Sequence, residues 1–133
     1  MRNETFEQAV TKILKKDATY PRAAYGLLTA ALDYTVRALR SERGESGDDR
    51  PQHVTGRQLS EGLRDYMLAE YGPFAKGLLD DLNLHSTDDI GRIVYNLIDV
   101  GAFGKTKEDR LEDFHAVYDF TEAFVVPFLP YHI

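Results

Sequence analysis

Residues 86–110, "STDDIGRIVYNLIDVGAFGKTKEDR", decide how this chain is expected to fold. Ser86 and Asp89 are spaced as a helix cap, and Ile90, Ile93, Val94, Leu97 and Ile98 recur at helical intervals. A helix over 86–100 follows, and Gly101 ends it. Beyond the glycine, "GAFGK" reads as a short strand and "KTKEDR" as a charged tip. Farther on, "FHAVYDF" (114–120) alternates, with Phe114, Ala116, Tyr118 and Phe120 on one side, which is the period of a strand. The expectation is a small C-terminal β-hairpin with residues 106–113 at its tip. A helical alternative stands beside it. Thr106 with Asp109 also fits a helix cap, and Leu111 with Phe114 fits helical spacing.

Working outward, Thr55 and Gln58 make a capping box, and Leu59, Leu63, Tyr66, Met67 and Tyr71 form the inward face of a helix over 55–71. Gly72 and Pro73 stop it and open the next, over 73–83, with Phe74, Ala75, Leu78, Leu79 and Leu82 on one face. At the start of the chain, Asn3 can cap a helix whose stripe is Phe6, Ala9, Val10, Ile13 and Leu14. Tyr20 precedes a proline and is driven out of the α region, so that helix ends there. Pro21 opens a second helix to about Arg43, with Tyr25, Leu28, Leu32, Thr35 with Val36, and Leu39 along its stripe. "GESGDDRPQ" (44–52) has loop composition. A D-x-x-E box, Asp119–Glu122, begins a last short helix that Pro127 halts, and the tail "PFLPYHI" should pack back on the body. Gly26, Gly62, Gly77 and Gly91 lie inside helices, each costing about 1 kcal/mol against alanine. Close helix–helix contact is the expected reason.

These elements give a mostly α fold of five to six helices with a C-terminal hairpin, in one domain over 1–133. Within it, 1–43 would be an N-terminal helical pair, 44–53 a loop and 54–133 the body. The helices at 55–71, 73–83 and 86–100, followed by a hairpin, keep the order of a winged helix-turn-helix. "LIDVGAFGKTKEDR" (97–110) resembles the helix end, glycine, strand and charged wing of repressors of the multiple-antibiotic-resistance type. Asp109 and Arg110 match the acidic residue and arginine of that wing. The resemblance implies a winged-helix-like arrangement of residues 55–120.

Over nearly its whole length the chain is also similar to a family of small uncharacterised bacterial proteins. The segments that carry this likeness are "AYGLLTAALDYTVRAL" (24–39), "HVTGRQLSEGLRDYMLAEYGPFA" (53–75), residues 86–114 and "VYDFTEAFVVPF" (117–128). That resemblance implies a free-standing bacterial domain, with no activity, cofactor or catalytic residue attached.

Composition narrows the function. The chain has 133 residues, 43% hydrophobic and 29% charged, which is the make-up of a folded globular domain. There are no cysteines, so disulfides, thiolate metal sites and cysteine nucleophiles are excluded. No apolar run approaches the roughly 20 residues that cross a bilayer, and the polar start lacks the apolar core of a secretory signal. The expected location is cytoplasmic. The net charge of −6 is uneven: residues 1–43 hold eight Lys/Arg and five Asp/Glu, and residues 44–133 hold eight and seventeen.

That imbalance weighs against reading DNA through residues 86–110. The helix over 86–100 carries Asp88, Asp89 and Asp99 against Arg92 alone. Duplex affinity comes chiefly from neutralising phosphates, and two aspartates sit where a reading helix would make its contacts. Their ordinary role is to favour the positive end of the helix dipole. A nucleic-acid contact, if the chain makes one, falls to the basic N-terminal helices, through Lys12, Lys15, Lys16, Arg37, Arg40 and Arg43. Tyr20, Tyr25 and Tyr34 accompany them as an RNA-facing set or as core.

Catalytic and metal signals are weak. His85 precedes Asp88 and Asp89, and His115 follows Glu112 and Asp113, yet no histidine pair has metalloprotease spacing. Nucleophile elbows, phosphate loops and dinucleotide fingerprints are missing from the sequence. No catalytic, cofactor-binding or metal residue is assigned. The sequence supports a non-enzymatic protein-interaction module, with a protein partner or a second copy as its ligand and the long second helix as a dimer surface. The alternatives are a nucleic-acid binder using the basic helices and an enzyme built on a carboxylate–histidine site.

Overall fold

A computed structural model describes residues 4–43 and 53–130, and every regular element among them is helical. Helix α1 spans Phe6–Lys16 and α2 spans Arg22–Glu42; α3 is Gly56–Tyr71, α4 Ala75–Asp81, α5 Thr87–Asp99 and α6 Phe120–Phe124. Short 3-10 turns at Gly72–Phe74, Leu111–Phe114 and Val126–Phe128 join or end them.

The caps follow local chemistry. Thr55 accepts from the Gln58 amide at 3.1 Å while Gln58 Oε1 accepts from the Thr55 amide at 3.0 Å, closing the expected box at the start of α3. The same reciprocal pair forms at the start of α1 between Thr5 and Gln8. Asn3, the expected cap, lies outside the described residues, as does the loop 44–52. At α6 the Asp119 carboxylate accepts from the Glu122 amide at 3.0 Å.

The core sits where α1, α2, α3 and α5 meet, around Val10, Tyr25, Leu28, Leu63, Met67, Ile90, Ile93 and Leu97. Helix α2 packs on α3, and Gly62 faces Thr35 of α2. A Cβ there would fall 1.8 Å from Thr35 Oγ1, so any larger residue would have to displace the Thr35 side chain. Gly91 of α5 plays the same part for Phe114, whose Cβ lies 2.8 Å from where a side chain would begin. Gly26 and Gly77 have open space around them, so close contact explains two of the four helical glycines and not the others.

The expected β-hairpin is not formed. No strand exists among the described residues, and the wing is therefore missing from residues 55–120. Three physical causes are visible. Gly101 adopts φ +81, and the amides of Ala102 and Phe103 then turn back to the Leu97 carbonyl at 2.9 and 3.2 Å, leaving neither for a ladder. The Thr87 hydroxyl donates to the Phe114 carbonyl at 2.6 Å and accepts from the Val117 amide at 3.2 Å, holding the chain to α5 rather than to a partner strand. Ala116, midway along the alternating stretch, has φ +49, which interrupts extended backbone. Asp109 and Arg110 therefore belong to no wing. Asp109 caps a turn by accepting from the Thr106 amide at 2.7 Å, and Asp113 accepts from the Arg110 amide at 3.0 Å at the head of the 111–114 turn.

The alternation itself has another cause. Phe114 and Phe120 are buried, and the rings of Tyr118, Phe120 and Phe124 pack on one another at centroid distances of 5.2 to 6.1 Å. The Tyr118 hydroxyl donates to the Ser60 carbonyl at 2.7 Å, tying this cluster to α3. The tail packs back less than expected, since Phe128 and Leu129 are 42% and 48% exposed. No helix among the described residues is long and apolar enough to cross a membrane.

Candidate functional site

The six basic residues fall into two groups. Lys12, Lys15 and Lys16 lie in the later turns of α1, while Arg37 and Arg40 lie in the C-terminal half of α2, with Arg43 as its C-cap. Arg22, at the start of α2, binds α1 through Glu7 at 2.7 Å and Thr11 at 2.6 Å. The lysines are thus held near one end of α2. Arg37 is 15 residues beyond Arg22, or about 22 Å at 1.5 Å per residue. Lys12 pairs with Glu4 at 2.9 Å and Arg37 with Asp33 at 3.1 Å, which lowers the positive charge of each group. Tyr20 and Tyr25 are inside the core rather than beside these cations. No continuous face of Lys, Arg and Tyr results.

The aspartates of α5 are also divided. Asp89 turns inward and is 8% exposed. It accepts from the Tyr20 hydroxyl, from Arg92 at 2.7 Å, and from the His85 and Ser86 amides at 2.8 and 3.2 Å. Burial alone would raise its pKa, but these donors outweigh burial and hold the carboxyl below the ordinary range. Tyr20 moves the other way: burial first, then the Asp89 carboxylate, push its hydroxyl up to about 12. Asp89 therefore joins an interior network and does not face substrate or phosphate.

Asp88 stays outside and lies 3.2 Å from His115 Nδ1. His85 turns to Asp80, at 3.3 Å, and to Asn83, at 2.9 Å. His85, Asp88 and His115 share an open groove, yet Asp89 is not part of it. No group of three His, Asp or Glu able to hold a metal occurs among the described residues. The groove presents an exposed His115–Asp88 pair with His85 on the same open surface.

A surface that the periodicity did not mark is aromatic. Phe74 is expected on the inner face of α4, but residues 72–74 form a 3-10 turn that swings its ring outward, to 78% exposure. Tyr71, one turn earlier, is 36% exposed, and so is Tyr34 on α2. Their rings are linked through Tyr66: Tyr34–Tyr66 centroids are 5.7 Å apart and Tyr66–Tyr71 centroids 6.4 Å, both edge to face. Burial, then the Tyr71 and Glu70 charges, raise the Tyr66 hydroxyl. The sequence signal that points to this surface is the proline at the second position of "GPF", which favours a 3-10 turn over a straight continuation of the helix.

No protein-family model, curated protein or solved structure matches the chain.

Proposed function

We propose that the protein is a non-enzymatic interaction module that pairs with a second copy of itself through Phe74, Tyr71, Tyr66 and Tyr34. The observation that supports this reading is the 78% exposure of Phe74, three residues beyond Tyr71, whose ring ends the Tyr34–Tyr66–Tyr71 row. Apolar surface kept in water costs roughly 25 cal/mol per Å². Tyrosine and phenylalanine are also the residues that concentrate in interface centres, where a rigid ring contributes area at small entropic cost.

The charges around the row favour a second copy. Near the row in sequence, Asp33 pairs with Arg37 and Lys76 with Asp80, and Glu70 acts on Tyr66, so both signs occur there although the chain as a whole is −6. Two copies related by a twofold axis present the same patch to each other, and a mixed rim avoids like-charge repulsion there. The test is sedimentation velocity on the wild-type chain and Phe74→Ser from micromolar to millimolar concentration. The wild type should pass from monomer to dimer, and Phe74→Ser should remain monomeric with an unchanged helical circular-dichroism spectrum. A wild type that stays monomeric throughout, or a variant that dimerises equally well, overturns the reading.

A further inference from the structure

A second feature is independent of the aromatic surface. Between α2, the start of α3, the last turns of α5 and residues 102–114 lies a cavity of about 340 Å³. Its apolar lining includes Leu32, Val36, Val94, Ile98, Phe103 and Phe114. That volume is near the small end of ligand pockets, which run from about 300 to 1,000 Å³ and combine an apolar lining with a few polar groups that orient the ligand.

Polar residues also line it, among them Tyr95, Lys105, Asp109, Arg110 and Asp113, with His53 beside Asp109. Both carboxylates already have partners. Asp109 accepts from the Thr106 amide at 2.7 Å and lies 3.1 Å from His53 Nε2; Asp113 accepts from the Arg110 amide at 3.0 Å. Hydrogen bonds from Thr106 and His53 hold the Asp109 carboxyl below its ordinary range, overcoming burial, which pushes the other way. The cations are differently placed. The Lys105 ammonium lies 5.8 Å from the centre of the Tyr95 ring, and no carboxylate among the described residues is within ion-pair distance of Lys105 or Arg110. The donors left to meet a ligand thus include the Lys105 ammonium, the Arg110 guanidinium and the Tyr95 hydroxyl, which is buried without a hydrogen-bond partner. A guanidinium grips a carboxylate through two parallel N–H bonds.

We infer that this cavity binds a small monocarboxylate with an apolar body, an arylalkanoic or short-chain acyl acid, whose carboxylate meets Arg110 and Lys105 while its body fills the space between α2 and α5. A single negative charge is what fits. Asp109 and Asp113 line the same cavity, with Glu108 and Glu112 next to them in sequence, and a phosphate, with its charge nearer two at neutral pH, meets more repulsion there.

The test is an amide-detected NMR titration of the full chain with phenylacetate and hexanoate, using the neutral phenylacetamide and the cationic phenethylamine as controls. At least one of the acids should give saturable shifts at Val54, Ile98, Phe103 and Lys105, with the two controls binding at least about fivefold more weakly. Arg110→Gln, an exposed change that keeps the backbone cap to Asp113, should weaken the acid about tenfold and leave phenylacetamide unchanged. Lys105→Gln serves as the second variant should the first disturb the 106–114 segment, and the same loss is expected. The proposal is overturned by the absence of saturable shifts with both acids, by controls that bind as well as the acids, or by unchanged acid affinity in both variants.

Discussion

The Tyr20 hydroxyl donates a hydrogen bond to Asp89, 69 residues farther along the chain, and both residues are buried. Asp89 is at once the N3 residue that closes the cap of α5 and the interior acceptor that fixes the link between α1 and α2. One carboxylate therefore joins a local helix start to a contact across the fold. Asp89→Ala should cost about 3 kcal/mol, because a buried hydroxyl and two amides lose their acceptor together. Tyr20→Phe should cost about 1–2 kcal/mol. In urea unfolding the double variant should be little worse than Asp89→Ala alone; full additivity would mean that the two residues act independently.

The same pair sets a pH dependence with two edges. Tyr20 has a folded pKa near 12, above its ordinary value of 10.0, so its contribution is complete below pH 10 and is lost as pH rises toward 12. Two pH units correspond to roughly 2–3 kcal/mol. Asp89 has a folded pKa below 3.8, so its contribution is present above that value and disappears as pH falls through the folded one. Melting temperature should be flat across neutral pH and fall at both extremes. Tyr20→Phe should flatten part of the alkaline fall, while Tyr25, Tyr66, Tyr95 and Tyr118, also raised by burial, keep the remainder. An alkaline limb identical in wild type and variant would contradict this.

The four helical glycines divide by what surrounds them. Gly62→Ala and Gly91→Ala drive a methyl into Thr35 and Phe114, and each should destabilise by about 2–3 kcal/mol through forced repacking. Gly26→Ala and Gly77→Ala meet nothing within 4 Å and should stabilise by about 0.5–1 kcal/mol through helix propensity. Chemical denaturation of the four single variants separates the two classes. Four changes of the same sign would show that packing at Gly62 and Gly91 has been misjudged.

Much of the helical frame is legible in the residues themselves. The Thr55–Gln58 box, the break at Tyr20–Pro21 and the stripe of α5 are local chemistry and appear where the spacing places them. The misreadings are non-local. "FHAVYDF" alternates because Phe114 docks on Gly91 and Phe120 joins the Tyr118–Phe124 cluster, and its backbone is held by Thr87, far away in sequence. A period of two is blind to that difference. Phe74 carries the same lesson on the surface, since three residues of 3-10 turn suffice to rotate a ring from the expected core to solvent. The cavity beside α5 is invisible in sequence, because its rim groups, Lys105 and Arg110, read there as the charge of a wing that does not form.

The account of function rests on the Phe74 surface, and sedimentation velocity tests it most directly. A wild-type chain that becomes a dimer with rising concentration, beside a monomeric and equally helical Phe74→Ser variant, is the predicted result. A wild type that sediments as a monomer at millimolar concentration would contradict it.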